Sequence, residues 1–171
     1  KGLGGTHKKP PGLLPPEALE GGYAGVSLGI ECAGEIEAVG DGVDGFAPGD
    51  RVMAFGTNCF ATHMVTGAAA VARIPARLSY EEGATIPTVF LTCWYALKEV
   101  ARLTAGERVL IHGAAGGVGL AAIQIAQQTG AEIFATAGNG EKREYLRSLG
   151  VKHIFDSRSL VFADQILEAT G

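Results

Sequence analysis

Apolar runs and amphipathic stretches alternate regularly in the second half of the chain, as they do in a β-α-β-α-β-α unit. The apolar runs predict strands at residues 109–111, 133–135 and 153–155. Helical spacing of apolar residues predicts helices after the loop 113–119, over residues 141–149 and over residues 160–170. Short strands that alternate with helices indicate a parallel sheet, and therefore the α/β class.

A different pattern precedes this unit, with apolar and polar positions in alternation. In residues 28–39, Ile30, Cys32 and Ile36 alternate with charged residues such as Glu31 and Glu35, which predicts a half-buried strand. Further short strands are predicted at residues 51–55, 59–65 and 71–74, separated by glycine-containing turns. Such a series of short strands favours a small antiparallel barrel or sandwich.

A helix is predicted to connect the two patterns. Apolar residues recur there at helical spacing, at Phe90, Trp94, Leu97 and Ala101. We therefore predict one amphipathic helix over residues 88–103, with Trp94 in the core.

The loop from Gly113 to Gly119 reads G-A-A-G-G-V-G, and it stands between a predicted strand and a predicted helix. This order is typical of the opening of a dinucleotide-binding βαβ unit. Gly113 permits a tight turn, and Gly116 and Gly117 allow the backbone to approach a pyrophosphate. Gly119 allows close packing of helix on strand, and the helix N-terminus offers free N–H groups to the phosphates. A glycine-rich turn without a ligand is the alternative, which the complete βαβ context disfavours.

The end of the second predicted strand indicates which dinucleotide is bound. NAD-specific sites usually place an acidic residue there, but residues 136–138 read T-A-G. Lys142 and Arg158 follow closely, and cations beside a small polar strand end suit a 2′-phosphate, which favours NADPH. Lys142 and Arg143 as a solvated helix face are the alternative. His112 is interpreted as a strand-end residue rather than a cofactor contact.

Composition limits the classes of function. The net charge of −4 argues against nucleic acid or a membrane surface as a general partner. The sequence has no apolar run of about 18 residues and no signal-peptide pattern. Three widely spaced cysteines do not suggest a disulfide framework, so a reducing cytoplasm is expected. Residues 1–16, rich in Gly, Pro and Lys, are expected to form a flexible segment, and their character suggests a truncated chain.

Several longer motifs resemble a known family. They are L-G-I-E-C-A-G-E-I-E-A-V-G, F-A-P-G-D-R-V-M, T-V-F-L-T-C-W-Y-A-L and V-L-I-H-G-A-A-G-G-V-G-L-A-A-I-Q-I-A. Together they resemble the medium-chain dehydrogenase/reductase superfamily. The stretch E-K-R-E-Y-L-R-S-L-G followed by D-S-R-S is similar to the enoyl reductase domains of modular polyketide synthases and animal fatty acid synthase. The resemblance implies a partial GroES-like β-barrel over residues 17–81. A connecting helix and the first half of a Rossmann NADP-binding domain would follow over residues 82–171.

The resemblance also implies a reaction and its partners. The reaction is NADPH-dependent reduction of an α,β-unsaturated thioester on an acyl carrier protein, with hydride delivered to the β-carbon and a proton to the α-carbon. Neighbouring synthase domains and a second copy of the chain, forming a homodimer, are the other expected partners. The family's proton donors are expected to fall outside this chain, so the catalytic residues stay unassigned and the chain alone is expected to be inactive.

Cofactor-binding residues are carried over from the same resemblance. The pyrophosphate loop matches Gly113, Ala114, Ala115, Gly116, Gly117 and Val118. The positions around the adenosine ribose and its 2′-phosphate match Thr136, Lys142, Ser157 and Arg158. Thr92 matches a helix threonine near the nicotinamide end.

No metal site is expected. Zinc alcohol dehydrogenases of this superfamily carry G-H-E where this chain has Gly29-Ile30-Glu31, so a histidine ligand is absent. Cys59 and His63 alone do not supply the three protein ligands of a catalytic zinc. Glu31 is then interpreted as structural.

Two other functions remain open from the sequence. A stand-alone zinc-independent NADPH quinone oxidoreductase resembles this chain through the same A-A-G-G-V-G loop. A fragment that only binds a nucleotide, or only self-associates, is the second alternative.

Overall fold

The computed structural model describes residues 28–171, which divide into two compact units between Thr88 and Val89. The elements of the first unit are β1 (Glu31–Glu35), β2 (Arg51–Phe55), a 3-10 turn (Ala68–Ala70), β3 (Val71–Arg73) and α1 (Tyr80–Gly83). Helix α2 (Pro87–Trp94) crosses the division.

The first unit contains a three-stranded sheet in the order β1-β2-β3, with both pairs antiparallel. Glu31 lies opposite Phe55 across the first pair, and Val52 lies opposite Arg73 across the second. Val52 and Ala54 of β2 are buried, whereas Arg51, Met53 and Phe55 are more exposed. This alternation is the two-residue period of a strand with one covered face. The prediction of an antiparallel sheet is confirmed.

The predicted strand at residues 59–65 is wrong. Asn58 has φ of +67°, which turns the chain out of the extended direction just before this segment. The N–H groups of Cys59 and Phe60 then donate to the carbonyls of Gly29 and Leu28, both at 3.1 Å. The segment is an irregular loop, and Phe60 and Val65, which suggested a strand, are 70% and 101% exposed.

The second unit contains a parallel sheet in the order β4-β5-β6. Its elements after α2 are a π-helical turn (Tyr95–Val100), β4 (Arg108–Ile111), α3 (Gly117–Thr129), β5 (Glu132–Ala137), α4 (Gly140–Ser148), β6 (His153–Asp156) and α5 (Val161–Thr170). Ile111 lies opposite Ala135, and Ala137 lies opposite Asp156. The predicted parallel β-α-β arrangement is confirmed.

The long helix predicted over residues 88–103 is only partly correct. It is α-helical as far as Trp94 and then widens, because the N–H of Ala101 donates to the carbonyl of Ala96, five residues earlier, at 2.9 Å. Arg102 has φ of +52° and ends the segment. Trp94, the last residue of the α-helical part, is 48% exposed, contrary to the prediction that it lies in the core.

The core of the second unit lies between the sheet and helices α3 and α4. Its buried members from these elements include Ile111, Ala121, Ile123, Ile125, Ala126, Ile133, Ala135, Ala137 and Leu146. On the opposite face of β5, Phe134 is buried and stacks on His153 with ring centroids 4.4 Å apart. Both faces of β5 are therefore covered, as expected for the central strand of a parallel sheet.

Two leucines of the α4 region test this packing. Leu146 is fully buried, so Leu146→Ala is expected to lower the free energy of unfolding by about 2–5 kcal/mol through the cavity it leaves. Leu149, three residues later, is 36% exposed, so Leu149→Ala is expected to cost about 1 kcal/mol or less. Urea denaturation followed by circular dichroism measures both. Equal losses would contradict the assignment of Leu146 to the core.

Candidate dinucleotide-binding site

The glycine loop joins β4 to α3 by a tight turn. Gly113 has φ of +61°, a left-handed conformation that glycine adopts without a Cβ clash. The N–H of Gly116 donates to the carbonyl of Gly113 at 2.9 Å, which closes the turn. The N–H of Ala114 donates to the carbonyl of Thr136 at 3.0 Å, so the loop is also held by the neighbouring strand β5.

The N-terminus of α3 carries no side-chain cap, because its N-cap residue is Gly116. The first N–H groups of an α-helix have no acceptor within the helix. Here Gly116, Gly117 and Val118 are exposed at this end. Unpaired N–H groups and the positive end of a helix dipole, at an exposed surface without side chains, form a site suited to a phosphate or pyrophosphate.

Gly119 is the tightest position in the loop–helix junction. A Cβ on Gly119 would lie 2.5 Å from both the Cα and the carbonyl oxygen of Ala114. Such a contact cannot be relieved by a side-chain movement, because both atoms belong to the backbone. Sequence reasoning expected the close partner of Gly119 to be the strand, whereas the structure places the loop there.

Helix α2 packs beside the same end of α3. The thiol of Cys93 donates to the carbonyl of Val118 at 3.2 Å, and a Cβ on Gly117 would meet Val89 at 3.7 Å. Thr92, which the family resemblance places near the nicotinamide end of the cofactor, is exposed and directly precedes Cys93. The structure therefore brings the helix of Thr92 to the glycine loop.

A second cluster lies at the carboxyl ends of β5 and β6. The Nε atom of Arg158 lies 3.0 Å from the position that a Cβ would take on Gly138, and the hydroxyl of Ser157 lies 3.5 Å from it. The N–H of Arg158 donates to Oδ1 of Asp156 at 2.8 Å, which fixes the turn after β6. Because Gly138 has no side chain, the guanidinium and the hydroxyl converge on the end of β5.

The two cations of α4 have different surroundings. Arg143 donates to the carbonyl of Ala137 at 3.0 Å and pairs with Oδ2 of Asp156 at 3.3 Å, so its charge is already engaged. Lys142 is exposed, and its N–H donates to the side chain of Asn139, the N-cap of α4. The side chain of Lys142 is therefore exposed to solvent, whereas Arg143 is held by Ala137 and Asp156.

Sequence reasoning missed the supporting residues of this second cluster. Asn139 precedes Gly140 and Glu141, a common N-cap signature, and could have been recognised from it. Asp156 ends β6, and its bond from the N–H of Arg158, two residues later, is a local contact of the kind aspartate makes in turns. Its pairing with Arg143 joins a different element, so no local pattern indicates that contact.

Two carried-over residues have fully buried side chains. Ala114 and Thr136 are both 0% exposed. The hydroxyl of Thr136 lies 3.1 Å from Nδ1 of His112, whose ring packs edge-on against Phe162 at 5.3 Å. Direct side-chain contact of Thr136 or Ala114 with a bound nucleotide is therefore not available, and the contribution of both residues is to position the loop and His112.

The possible metal ligands in the described part of the first unit include Glu31, Cys59 and His63. Among residues 28–171, no three His, Cys, Asp or Glu side chains are grouped so that they could hold a metal ion. Glu31, at the position next to the missing histidine, accepts a hydrogen bond from the N–H of Thr88 at 2.8 Å. The carboxylate of Glu31 thus provides an acceptor for an N–H group in the first turn of α2, as expected for a structural role.

The chain has an antiparallel unit followed by a parallel β-α-β unit, which is the order of a GroES-like domain and part of a Rossmann fold. The family model "Alcohol dehydrogenase GroES-like domain" matches residues 12–92, and the model "Zinc-binding dehydrogenase" matches residues 117–171. The chain belongs to the medium-chain dehydrogenase/reductase superfamily, and it is homologous to the enoyl reductase domains of polyketide synthases.

Three relatives illustrate the homology. A phenolphthiocerol/phthiocerol polyketide synthase of Mycobacterium tuberculosis is 53% identical over 143 residues, which are 84% of this chain and 6% of that protein. The crystal structure of CurK enoyl reductase is 48% identical with a TM-score of 0.80, covering 84% of this chain and 43% of that one. Mycobacterial Rv1454c, solved in complex with NADPH, is 32% identical with a TM-score of 0.68, covering 75% of this chain and 40% of that one.

The sequence thus spans a small part of the synthase that it matches and less than half of these two solved structures. The matched synthase is a large protein in which the homologous segment has neighbouring domains. In the part of the chain that the structure describes, no helix combines the length and the apolar character needed to cross a bilayer.

The contact between Gly119 and Ala114 is testable with a matched pair of alanines. Gly119→Ala is expected to destabilise the protein by about 1–3 kcal/mol, because the backbone of Ala114 must move. Gly117→Ala, in the same helical turn, meets Val89 at an ordinary 3.7 Å and is expected to be neutral or stabilising by up to about 1 kcal/mol. Thermal unfolding measures the change in stability of both variants. A Gly119→Ala protein as stable as the unsubstituted protein would contradict the assigned contact.

Proposed function

We propose that the chain is part of an enoyl reductase domain of a polyketide synthase, which uses NADPH to reduce an α,β-unsaturated acyl thioester on an acyl carrier protein. The observation that supports it most is the combination of an open, uncapped glycine loop with a cationic second strand end. Both occur in a chain homologous to such domains.

The glycine loop would hold the pyrophosphate of the cofactor. Gly113, Gly116 and Gly117 present backbone without side chains, and the first turn of α3 supplies N–H donors. Val118 adds to the exposed surface of the loop, Ala115 is partly buried against the core, and Ala114 is fully buried. Val118 is 52% exposed although it is apolar, which suits a position against a bound nucleotide.

The end of β5 would read the adenosine ribose. Arg158 and Ser157 converge on Gly138, where a dinucleotide fold places the ribose hydroxyls, and Lys142 lies exposed on the following helix. No carboxylate occupies residues 136–138, so a 2′-phosphate meets donors and positive charge rather than repulsion. Arg143 neutralises Asp156, which keeps the nearest carboxylate from opposing the phosphate.

When bound, NADPH supplies the hydride that reduces the β-carbon of the enoyl thioester. The residues of this chain bind and orient: the loop fixes the pyrophosphate, Arg158 fixes the adenosine end, and Thr92 lies on the helix beside the loop. Acyl carrier protein, the other synthase domains and a second copy of the chain are the partners that this function entails.

A stand-alone zinc-independent NADPH quinone oxidoreductase is the second candidate, because such proteins resemble this chain through the same A-A-G-G-V-G loop. The two candidates share the cofactor and differ in the acceptor. Turnover of a thioester against turnover of a quinone therefore separates them.

Cofactor preference tests the cationic strand end. The double variant Lys142→Ala, Arg158→Ala is expected to weaken NADPH binding about 10- to 100-fold, as for hydrogen bonds to a charged group, and to change NADH binding little. Arg147→Ala is the matched control, since Arg147 lies on the same helix and pairs with Glu144. Cofactor fluorescence titration measures all affinities. Equal losses for NADPH and NADH would show that these cations do not read the 2′-phosphate.

The function itself is tested by cofactor binding and turnover, in this chain and in any longer polypeptide that carries it. We expect NADPH to bind, and the longer polypeptide to oxidise it with a crotonyl thioester. Gly116→Val is expected to weaken NADPH binding at least about tenfold, since a side chain there intrudes on the pyrophosphate. Gly67→Val is the control, because Gly67 has open space around it and φ of −70°.

The outcomes of this experiment are distinct. Binding without thioester turnover in the longer polypeptide would contradict the reductase, and a preference for quinones would favour the second candidate. Unchanged affinity in Gly116→Val would contradict the placement of the pyrophosphate.

A further inference from the structure

Three sulfur atoms lie close together in the first unit. The thiol of Cys32 lies 3.0 Å from the sulfur of Met64, and the thiol of Cys59 lies 3.6 Å from the same atom. Cys32 belongs to β1, while Cys59 and Met64 belong to the irregular loop after β2. Main-chain hydrogen bonds from Cys59 to Gly29 and from Gly56 to Ile30 hold this loop against β1, so the sulfurs are brought together by the backbone.

The cluster is accessible to a small ion. All three sulfur-bearing residues line a cavity of about 420 Å³, and each is only half-buried. A metal ion could therefore reach the sulfurs without unfolding the unit, which a buried cluster would not allow.

The two thiols are electrostatically coupled. Burial raises the pKa of the Cys32 thiol, and burial together with repulsion from Cys32 raises the pKa of the Cys59 thiol to about 11. Two thiolates this close oppose each other unless a cation lies between them. The pair is thus a protonated, soft donor set that a sufficiently thiophilic cation would deprotonate.

We propose that Cys32, Cys59 and Met64 form a binding site for one Cu(I) ion, coordinated by two thiolates and one thioether. Soft sulfur ligands select Cu(I), and a thioether is a poor ligand for harder divalent ions. The ion displaces both thiol protons, and no change of oxidation state is involved. Zinc fits less well, because it usually takes four tetrahedral ligands and the nearest histidine, His63, is engaged by Glu37 at 3.1 Å.

The geometry needs little adjustment. Three sulfurs that each lie about 2.3 Å from a central ion are about 4 Å apart. Opening the sulfur separations of 3.0 and 3.6 Å to this value requires movements of about 1 Å or less. The three rotatable bonds of Met64 permit such a movement without a change in the backbone.

The experiment is competition for Cu(I) against a bicinchoninate chelator under anaerobic conditions. The chain is expected to take one Cu(I), and Cys32→Ser or Cys59→Ser to weaken its affinity at least about 100-fold. Met64→Leu is expected to weaken it about tenfold or more, and to reduce the sulfur scatterers seen by X-ray absorption from three to two.

Matched controls exist within the chain. Met53 is the only other methionine and alternates with the buried side of β2, so Met53→Leu is expected to leave Cu(I) affinity unchanged. Cys93 lies in the second unit and bonds to a carbonyl, so Cys93→Ser is expected to do the same. Circular dichroism confirms that each variant is folded. Equal effects of Met64→Leu and Met53→Leu, or of Cys93→Ser and Cys32→Ser, would overturn the proposal.

Discussion

The site depends on one backbone contact, the close approach of Gly119 to Ala114. At 2.5 Å from a hypothetical Cβ, this contact leaves room for a hydrogen atom and nothing larger. It brings the first turn of α3 directly against the loop that leaves β4. The hydrogen bond from Ala114 to Thr136 then ties the same loop to β5, so loop, helix and central strand are held at one point.

This arrangement explains why the ends of the sheet are open to a ligand while their supports are buried. Gly113, Gly116 and Gly117 are exposed, whereas Ala114 and Thr136 are fully covered. A rigid support and an unobstructed surface are both needed if fixed N–H groups are to bind an anion. The second cluster differs, because its supporting pair is itself partly open to solvent: the side chain of Arg143 is 24% exposed and that of Asp156 is 47% exposed.

Much of the second unit could be predicted from the sequence, because the signals are local. Strand, glycine turn, helix and strand follow one another within residues 109–137, and each has its own pattern. The two errors have different causes. Residues 59–65 were expected to form a strand, but Cys59 and Phe60 donate to the distant carbonyls of Gly29 and Leu28. Residues 95–100 keep a helical pattern, and that pattern does not distinguish an α-helix from the wider turn that forms there. For the site, the exposed glycines could be foreseen, but the roles of Asp156 and Thr136 depend on partners on other elements.

The carboxylate of Asp156 serves two donors at once, the main chain of Arg158 and the side chain of Arg143. Through these two contacts, Asp156 connects the turn that carries Arg158, the candidate phosphate-binding cation, with the end of the neighbouring strand. A substitution of Asp156 would therefore disturb two places together: it would free the turn after β6 and leave the guanidinium of Arg143 without its carboxylate partner.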